Sequence, residues 1–187
     1  MLFSKIFTTG AVMAATAMAA LSPSQIVTSI KQVTTISQQL QTPAQSINIV
    51  NAPLIVIGQG PFPTLIQGFT QIVTTAVSAI GQLDGTQPIT ADADATAVFD
   101  AFREFVRVHQ ALLNILIGKA GIIEQVPVVG QPVAAVLRQV EGVVDTIAIT
   151  LINLVESRSK DLESEANNLG NTLDLCIQKY QGLDLNV

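Results

Sequence analysis

Apolar side chains recur at steps of three and four residues along most of this chain, and this spacing constrains its fold more than any other feature. Such steps return to one face of an α-helix, whose period is 3.6 residues. The clearest run ends at Asp84 and Gly85, a pair typical of turns. Its apolar face consists of Phe62, Leu65, Ile66, Phe69, Ile72, Val73, Ala76, Val77, Ile80 and Leu83. The run predicts a helix with one face turned toward a core.

Four further segments show the same spacing. The first begins at Pro23, which a first helical turn tolerates, with Ser22 as its N-cap, and it ends or kinks at Pro43. The other three cover residues 92–120, 133–154 and 162–183. A short apolar stretch, residues 47–57, lies between the first two helices, and only its residues 54–57 suggest a strand. We therefore predict an all-α fold, an antiparallel bundle of about five helices.

Length and charge fit one domain with a large core. The chain has 187 residues, and charged residues make up only 12% of it, half the usual share of roughly 25%. The net charge is −5 and Lys and Arg are scattered, which argues against nucleic acid and against electrostatic binding to anionic lipid. Between Leu21 and Leu83 the only charged side chain is Lys31, so this half presents mainly Gln, Thr and Ser to water.

The N-terminal residues have the three features of a secretory signal peptide. Lys5 supplies positive charge, residues 6–20 are apolar and rich in alanine, and residues 17–19 read Ala-Met-Ala, an A-x-A cleavage motif. About 15 apolar residues are few for a membrane span, which needs roughly 20. We expect residues 1–19 to be removed and residues 20–187 to form a single secreted, extracellular domain.

The rest of the sequence predicts no membrane anchor. Its most apolar stretch, residues 133–155, is interrupted by Arg138, Glu141 and Asp145, which disfavours a transmembrane helix in the mature chain. Residues 182–187 do not resemble the hydrophobic tail of a lipid-anchor signal. We expect the mature product to be released, or to be held at a surface without a covalent bond.

Sequence motifs of enzymatic chemistry are missing. There is no G-x-S-x-G, no H-E-x-x-H and no phosphate-binding glycine loop, because residues 58–60 (Gly-Gln-Gly) lack a third glycine and precede Pro61. One His and one Cys cannot complete a zinc site of the usual kind. Glu104 and Glu141 are expected on the polar sides of their helices. The sequence predicts a protein that is not an enzyme and that uses no metal and no cofactor.

Four residues of uncommon chemistry fall on predicted apolar faces. Cys176, the single cysteine, could be a reactive or dimer-forming thiol, but it lies on the apolar stripe of the last helix, where a thiol acts as a small hydrophobic group. His109 lies in the middle of an apolar stripe, either as a buried side chain bonded to a backbone carbonyl or as a partner for a bound polar head group. Ser29 and Ser37 lie within the apolar arc of the first helix, either bonded to their own i−4 carbonyls or available to a ligand.

The aliphatic character of the predicted core leaves its packing open. The helix over residues 133–154 carries Ala148, Ile149 and Ile152 outside its main stripe, so little of its surface is polar. Such a helix is either fully enclosed or lines an apolar space. A core of Val, Ile, Leu and Ala can pack solidly, or it can enclose a central apolar cavity, a common ligand site in bundles.

In its pattern the chain resembles a fungal family, hydrophobic surface-binding protein A, which includes the cell-wall galactomannoproteins. The family has an acidic residue early in the first helix, where this chain has Thr28, Ser29 and Lys31. The resemblance covers nearly the whole mature chain and rests on the signal peptide, residues 26–30, the acid-poor second helix, the Asp84-Gly85 break, and residues 102–117 and 133–155.

This resemblance implies a secreted bundle of five helices. Members of the family either bind fatty acids in a central cavity or adsorb to hydrophobic surfaces, and some are antigens associated with the cell wall. The expected location is therefore extracellular, either free or held at the cell wall without a covalent bond.

A lipid carrier is the leading hypothesis for function. A fatty acid or other lipid would lie between the helices, and its carboxylate would be hydrogen-bonded by Ser29, Ser37 or His109. Its acyl chain would contact Phe69, Val73, Val77, Phe102, Phe105, Leu112, Val140, Val144 and Ile147. Two alternatives stay open: an interfacial protein that adsorbs to hydrophobic solids and recruits hydrolases, and a structural protein of the cell wall.

Overall fold

The structure is a computed structural model, described here for residues 21–123 and 129–181. Within these ranges it contains five α-helices, two short 3-10 helices and no strand, so the all-α prediction is confirmed. The α-helices are α1 (Pro23–Ser46), α2 (Pro61–Leu83), α3 (Asp92–Ile123), α4 (Gly130–Leu154) and α5 (Ser159–Gln181). The 3-10 helices are Ala52–Ile57 and Glu156–Arg158. The predicted signal peptide, residues 1–19, lies outside the described residues.

The first helix begins where the sequence predicts and ends later. The Ser22 side chain accepts a hydrogen bond from the Gln25 backbone N–H, and the Gln25 side chain accepts one from the Ser22 backbone, which completes a capping box. Pro43 does not end the helix, which continues to Ser46. Residues 54–57, the predicted candidate strand, belong to a 3-10 helix instead.

The five helices form a ring. Each packs mainly against two others, in the order α1, α2, α4, α5, α3 and back to α1. Consecutive helices run antiparallel, so α1, α3 and α5 all begin at one end, which we call the upper end. The Ile89 backbone N–H donates to Leu154 O at 2.7 Å there, and Leu21 N–H donates to Thr86 Oγ1 at 3.3 Å. At the opposite, lower end Lys119 Nζ donates to Ile47 O at 2.8 Å.

Aliphatic side chains and a few phenylalanines fill the inside of this ring. Among the described residues the buried polar side chains are Thr34, Ser37 and His109. In the described part of the chain, no helix is both long enough and apolar enough to cross a bilayer. The buried side chains are thus almost all apolar, and the charged side chains lie on the outside of the ring.

Candidate functional site

A narrow apolar slot enters the ring at the upper end. Its empty volume is about 460 Å³ with the open solvent at its mouth included, but only about 30 Å³ is wide enough for the centre of a water-sized molecule. Helices α1 to α4 all contribute to its walls. The lining residues are Leu21, Ile26, Ser29, Ile30, Val33, Ala79, Leu83, Phe102, Phe105, Ile147 and Leu151. Ser29 is the one polar member of this set, so the slot suits a slender apolar group.

A polar groove between α1 and α2 adjoins the slot. It shares Ser29 and Ala79 with the slot. The remaining residues of the groove are Gln32, Thr74, Thr75, Ser78 and Gln82. These side chains offer hydroxyl and amide groups and carry no charge. An apolar interior thus meets an uncharged hydrogen-bonding surface at Ser29, which is half-buried and donates to Gln25 O at 3.1 Å.

A buried polar pair lies one helical turn deeper than the slot walls. On α1, Ser37 follows Val33 by four residues, and on α3, His109 follows Phe105 by four. Ser37 Oγ donates to Val33 O at 3.0 Å and lies 2.9 Å from His109 Nδ1. Because this hydroxyl has one proton, its donation to Val33 makes Nδ1 the donor and leaves Nε2 an unprotonated acceptor.

Nε2 of His109 has no hydrogen-bond partner among the described residues, although the side chain is fully buried. The rings of Phe69 and Phe105 pack around the imidazole, with centroid separations of 6.1 and 5.3 Å. Burial lowers the pKa of His109 from 6.5 to about 4, so the ring is neutral at physiological pH. Phe105 both lines the slot and contacts this ring, which connects the slot to the unpartnered nitrogen.

The structure divides the twelve sequence-predicted site residues into four groups. The slot brings together Ser29, Phe102, Phe105 and Ile147. One layer deeper lie Ser37, Phe69 and His109. Elsewhere in the core are Leu112, Val140 and Val144, with Val73 partly buried against it. Val77 is 55% exposed and belongs to no part of the slot.

The expectations for individual polar residues had different outcomes. Both serines bond to their i−4 carbonyls, as predicted. The prediction of a backbone carbonyl as the partner of His109 was wrong, since that partner is the Ser37 hydroxyl. Cys176 is buried, as predicted, with Sγ 4.0 Å from Leu113 O. Burial raises the pKa of its thiol to about 12, which keeps it protonated and unreactive.

Sequence analysis missed more than half of the slot walls. The missed residues are Leu21, Ile26, Ile30, Val33, Ala79, Leu83 and Leu151. Ile26, Ile30 and Val33 carried a usable signal, because they share a helical face with Ser29. Leu83 carried one too, since it lies on the apolar face predicted for the second helix. Ala79 carried none, since a small side chain borders empty space only when the neighbouring helices leave it there.

The donor groups of the described residues do not suggest a metal centre. No group of three or more His, Cys, Asp or Glu side chains in residues 21–123 and 129–181 is arranged to hold a metal ion. The arrangement offers an apolar slot, neutral hydrogen-bonding groups at its mouth and an unpartnered imidazole nitrogen beneath it.

No protein-family model matches the sequence, and no curated relative matches it. Solved structures match the fold. AfMP4p in complex with palmitic acid has a TM-score of 0.74 at 15% identity, covering 85% of this chain and 99% of that one. Ligand binding domain 2 of Penicillium marneffei MP1 protein, complexed with multiple arachidonic acids, also has a TM-score of 0.74, at 13% identity, covering 88% and 99%.

A third structure is similar to a lesser degree. Ligand binding domain 1 of the same MP1 protein, complexed with arachidonic acids, has a TM-score of 0.65 at 15% identity, covering 83% of this chain and 98% of that one. At these identities the likeness shows a shared helical fold along nearly the whole length of each domain.

Proposed function

We propose that this chain is a non-enzymatic carrier of fatty acids or similar single-chain lipids. The observation that carries the proposal is the apolar slot inside the helical ring, with uncharged hydrogen-bonding groups at its mouth. The proposal is supported by the fold, since the structures it resembles were determined with palmitic or arachidonic acid.

The acyl chain enters the slot tail first in this proposal. A carboxylate loses a large hydration free energy on burial, and burial alone accounts for the lowered pKa of His109, which indicates no charged partner at that depth. The mouth beside Ser29 keeps water and hydroxyl groups within reach of the head group. The tail then points toward Phe105, and the polar head stays at the surface.

The slot widens when a lipid binds. Its present width admits little more than a water molecule, whereas pockets for drug-sized ligands measure about 300–1,000 Å³. Ala79 and Ile147 are only half-buried, so the walls they form can move without disturbing the deepest core. Binding is expected to raise the melting temperature in proportion to the logarithm of lipid concentration.

A substitution that fills the slot tests this function. Ala79→Leu adds three carbons at the slot wall, and we expect palmitate affinity measured by calorimetry to fall about ten-fold or more, since roughly 0.8 kcal/mol is at stake for each CH2 kept from burial. Val77→Leu, on the same helix but exposed, is the matched control and should bind normally. Native mass spectrometry of the wild type should show a co-purifying lipid. Palmitate binding that is absent in the wild type, or equal in both variants, rejects the proposal.

The proposal extends to location. Residues 1–19 would direct the chain out of the cell, and the mature domain would stay in the medium or associate with the cell wall without a covalent bond. N-terminal sequencing of the product from the medium should begin at Ala20. A chain found inside the cell with its first residues intact contradicts this part.

A further inference from the structure

Large aliphatic side chains are exposed together at the lower end of the ring. Eight large hydrophobic residues are exposed within the described part of the chain, and five of them fall within nine consecutive residues. We call this stretch, residues 49–57, the aliphatic segment. Its exposed members are Ile49, Val50, Leu54, Val56 and Ile57, with exposed fractions between 36% and 85%. A folded domain rarely leaves so many such side chains in water without a partner.

Side chains inside the turn satisfy the backbone at the start of the aliphatic segment. Asn48 Oδ1 accepts hydrogen bonds from the backbone N–H groups of Val50 and Asn51, at 2.9 and 3.0 Å. Asn51 Oδ1 accepts in return from Asn48 N–H at 2.8 Å, and its Nδ2 donates to Ser46 O at 2.7 Å. These N–H groups already have acceptors within the protein and need none from water.

Main-chain bonds satisfy the rest of the segment. Leu54 N–H donates to Asn51 O, and Gly58 N–H donates to Ile55 O at 2.8 Å. Pro53 has no N–H group to satisfy. An apolar phase accepts a backbone only when its polar groups are bonded internally, because each unsatisfied group costs several kcal/mol there. The N–H groups of Val50, Asn51 and Leu54 meet that requirement.

The residues that flank the aliphatic segment along the chain carry no charge. No charged residue occurs between Lys31 and Asp84, and the nearby Lys119 ammonium is held against Ile47 O. When the segment contacts an apolar phase, no charged side chain of the segment therefore loses its hydration. Protein interfaces, by comparison, are enriched in Tyr, Trp and Arg and use about 20–30 residues a side. The nine-residue segment has none of those three residue types.

We propose that the aliphatic segment docks this protein onto an uncharged lipid bilayer by inserting its aliphatic side chains among the lipids. The observations behind it are separate from the slot and from the proposed function. Because α1 and α2 are about 35 Å long, docking at the lower end keeps the slot mouth in water, on the side away from the bilayer.

Flotation with phosphatidylcholine vesicles tests the proposal on the mature chain. The double substitution Val56→Asn and Ile57→Asn should weaken vesicle binding by about ten-fold or more, because neither polar side chain gains free energy by leaving water for the bilayer. The matched control is Val77→Asn with Ile149→Asn, which are 55% and 60% exposed but lie elsewhere. The control should bind like the wild type, and binding should be the same in low and high salt.

Several outcomes overturn the proposal. Equal loss in both double variants, no vesicle binding by the wild type, or binding only to polystyrene beads each rules out bilayer docking by this segment. Concentration-dependent dimers in ultracentrifugation that disappear in the segment variant would assign the surface to a second copy of the chain.

Two further measurements separate this proposal from the carrier function. The segment variant should keep its palmitate affinity, and Ala79→Leu should keep its vesicle binding. Loss of both properties in the segment variant, with a normal circular dichroism spectrum, would overturn the independence of the two surfaces.

Discussion

Helix α3 borders two different interiors, one shared with α5 and one shared with α1. Toward α5, Tyr180 donates its hydroxyl to Leu116 O at 3.1 Å, and the Cys176 thiol lies beside Leu113 O. Toward α1, His109 uses one ring nitrogen for Ser37 and leaves the other without a partner. The α5 side is packed around polar groups that have partners, while the α1 side lies against the slot.

The difference between the two sides lies in whether a buried polar group has its hydrogen bond. Tyr180 and His109 are both fully buried and both sit among apolar side chains. A buried hydroxyl that makes its hydrogen bond within the protein is part of the packing and needs no ligand as a partner. A buried nitrogen with no partner, such as Nε2 of His109, carries a free-energy cost because its lost hydrogen bond to water is not replaced.

The largest expected effect compares leucines in the two interiors. Leu113→Ala, near α5, should lower the free energy of unfolding by about 2–5 kcal/mol because it leaves a cavity in solid packing. Leu151 is equally buried but lines the slot. Leu151→Ala should cost clearly less, since one side of that leucine already lacks contact atoms. Urea denaturation measures both, and equal losses would contradict the distinction between the two interiors.

The second-largest expected effect is that of pH on the free energy of unfolding, and it should arise from His109 on the α1 side. His109 has a pKa of about 4 in the folded protein and 6.5 ordinarily, so between these values the unfolded chain binds more protons. The free energy of unfolding should therefore fall as pH falls from 6.5 to 4, by about 3 kcal/mol in total. His109→Phe should remove this part of the pH dependence and leave Ser37 bonded to Val33.

The pH experiment is read as a difference between wild type and His109→Phe. The pKa of Glu141 is raised, by burial and by Asp174, so this group acts in the opposite direction, favouring the folded state at low pH. Its contribution is common to both proteins and cancels. Identical pH profiles for the two proteins would show that the imidazole is not the buried neutral group described.

The smallest expected effect concerns the α5 side. Tyr180→Phe removes one hydrogen bond to Leu116 O and should lower the free energy of unfolding by about 1 kcal/mol. Palmitate affinity, measured by calorimetry, should stay as in the wild type because α5 contributes no slot residue. A changed affinity would show that the two interiors communicate through α3.

Periodicity predicted the helices but not the order in which they pack. The apolar stripes placed His109, Ser37 and Cys176 inside, because each lies at helical spacing from other apolar residues. The Ser37–His109 bond joins residues 72 positions apart, and nothing in either stripe specifies the other as its partner. Val77 lies on a stripe and is nevertheless exposed, since the ring leaves that edge of α2 uncovered.

Two local features could not be predicted because they depart from the usual behaviour of their residue types. Pro43 lacks an N–H group and usually ends a helix, yet α1 continues for three more residues. Within the aliphatic segment, residues 54–57 suggested a strand, but they belong to a 3-10 helix. The sequence pattern also did not show that most of the large side chains in this stretch are exposed.

The connection between α2 and α3, residues 84–91, has a consequence for exchange rates. The two helices follow each other in sequence but are not neighbours in the ring, so this connection crosses the end where the slot opens. Bonds at Thr86 and Ile89 fasten it, each contributing about 1 kcal/mol, while unfolding a domain takes about 5–15 kcal/mol. In the proposed carrier function, loosening of this connection would set the rate at which a lipid enters and leaves the slot. A substitution at Thr86, which removes the bond to Leu21 N–H, would then change how long a lipid stays bound, while the slot walls would still set the affinity.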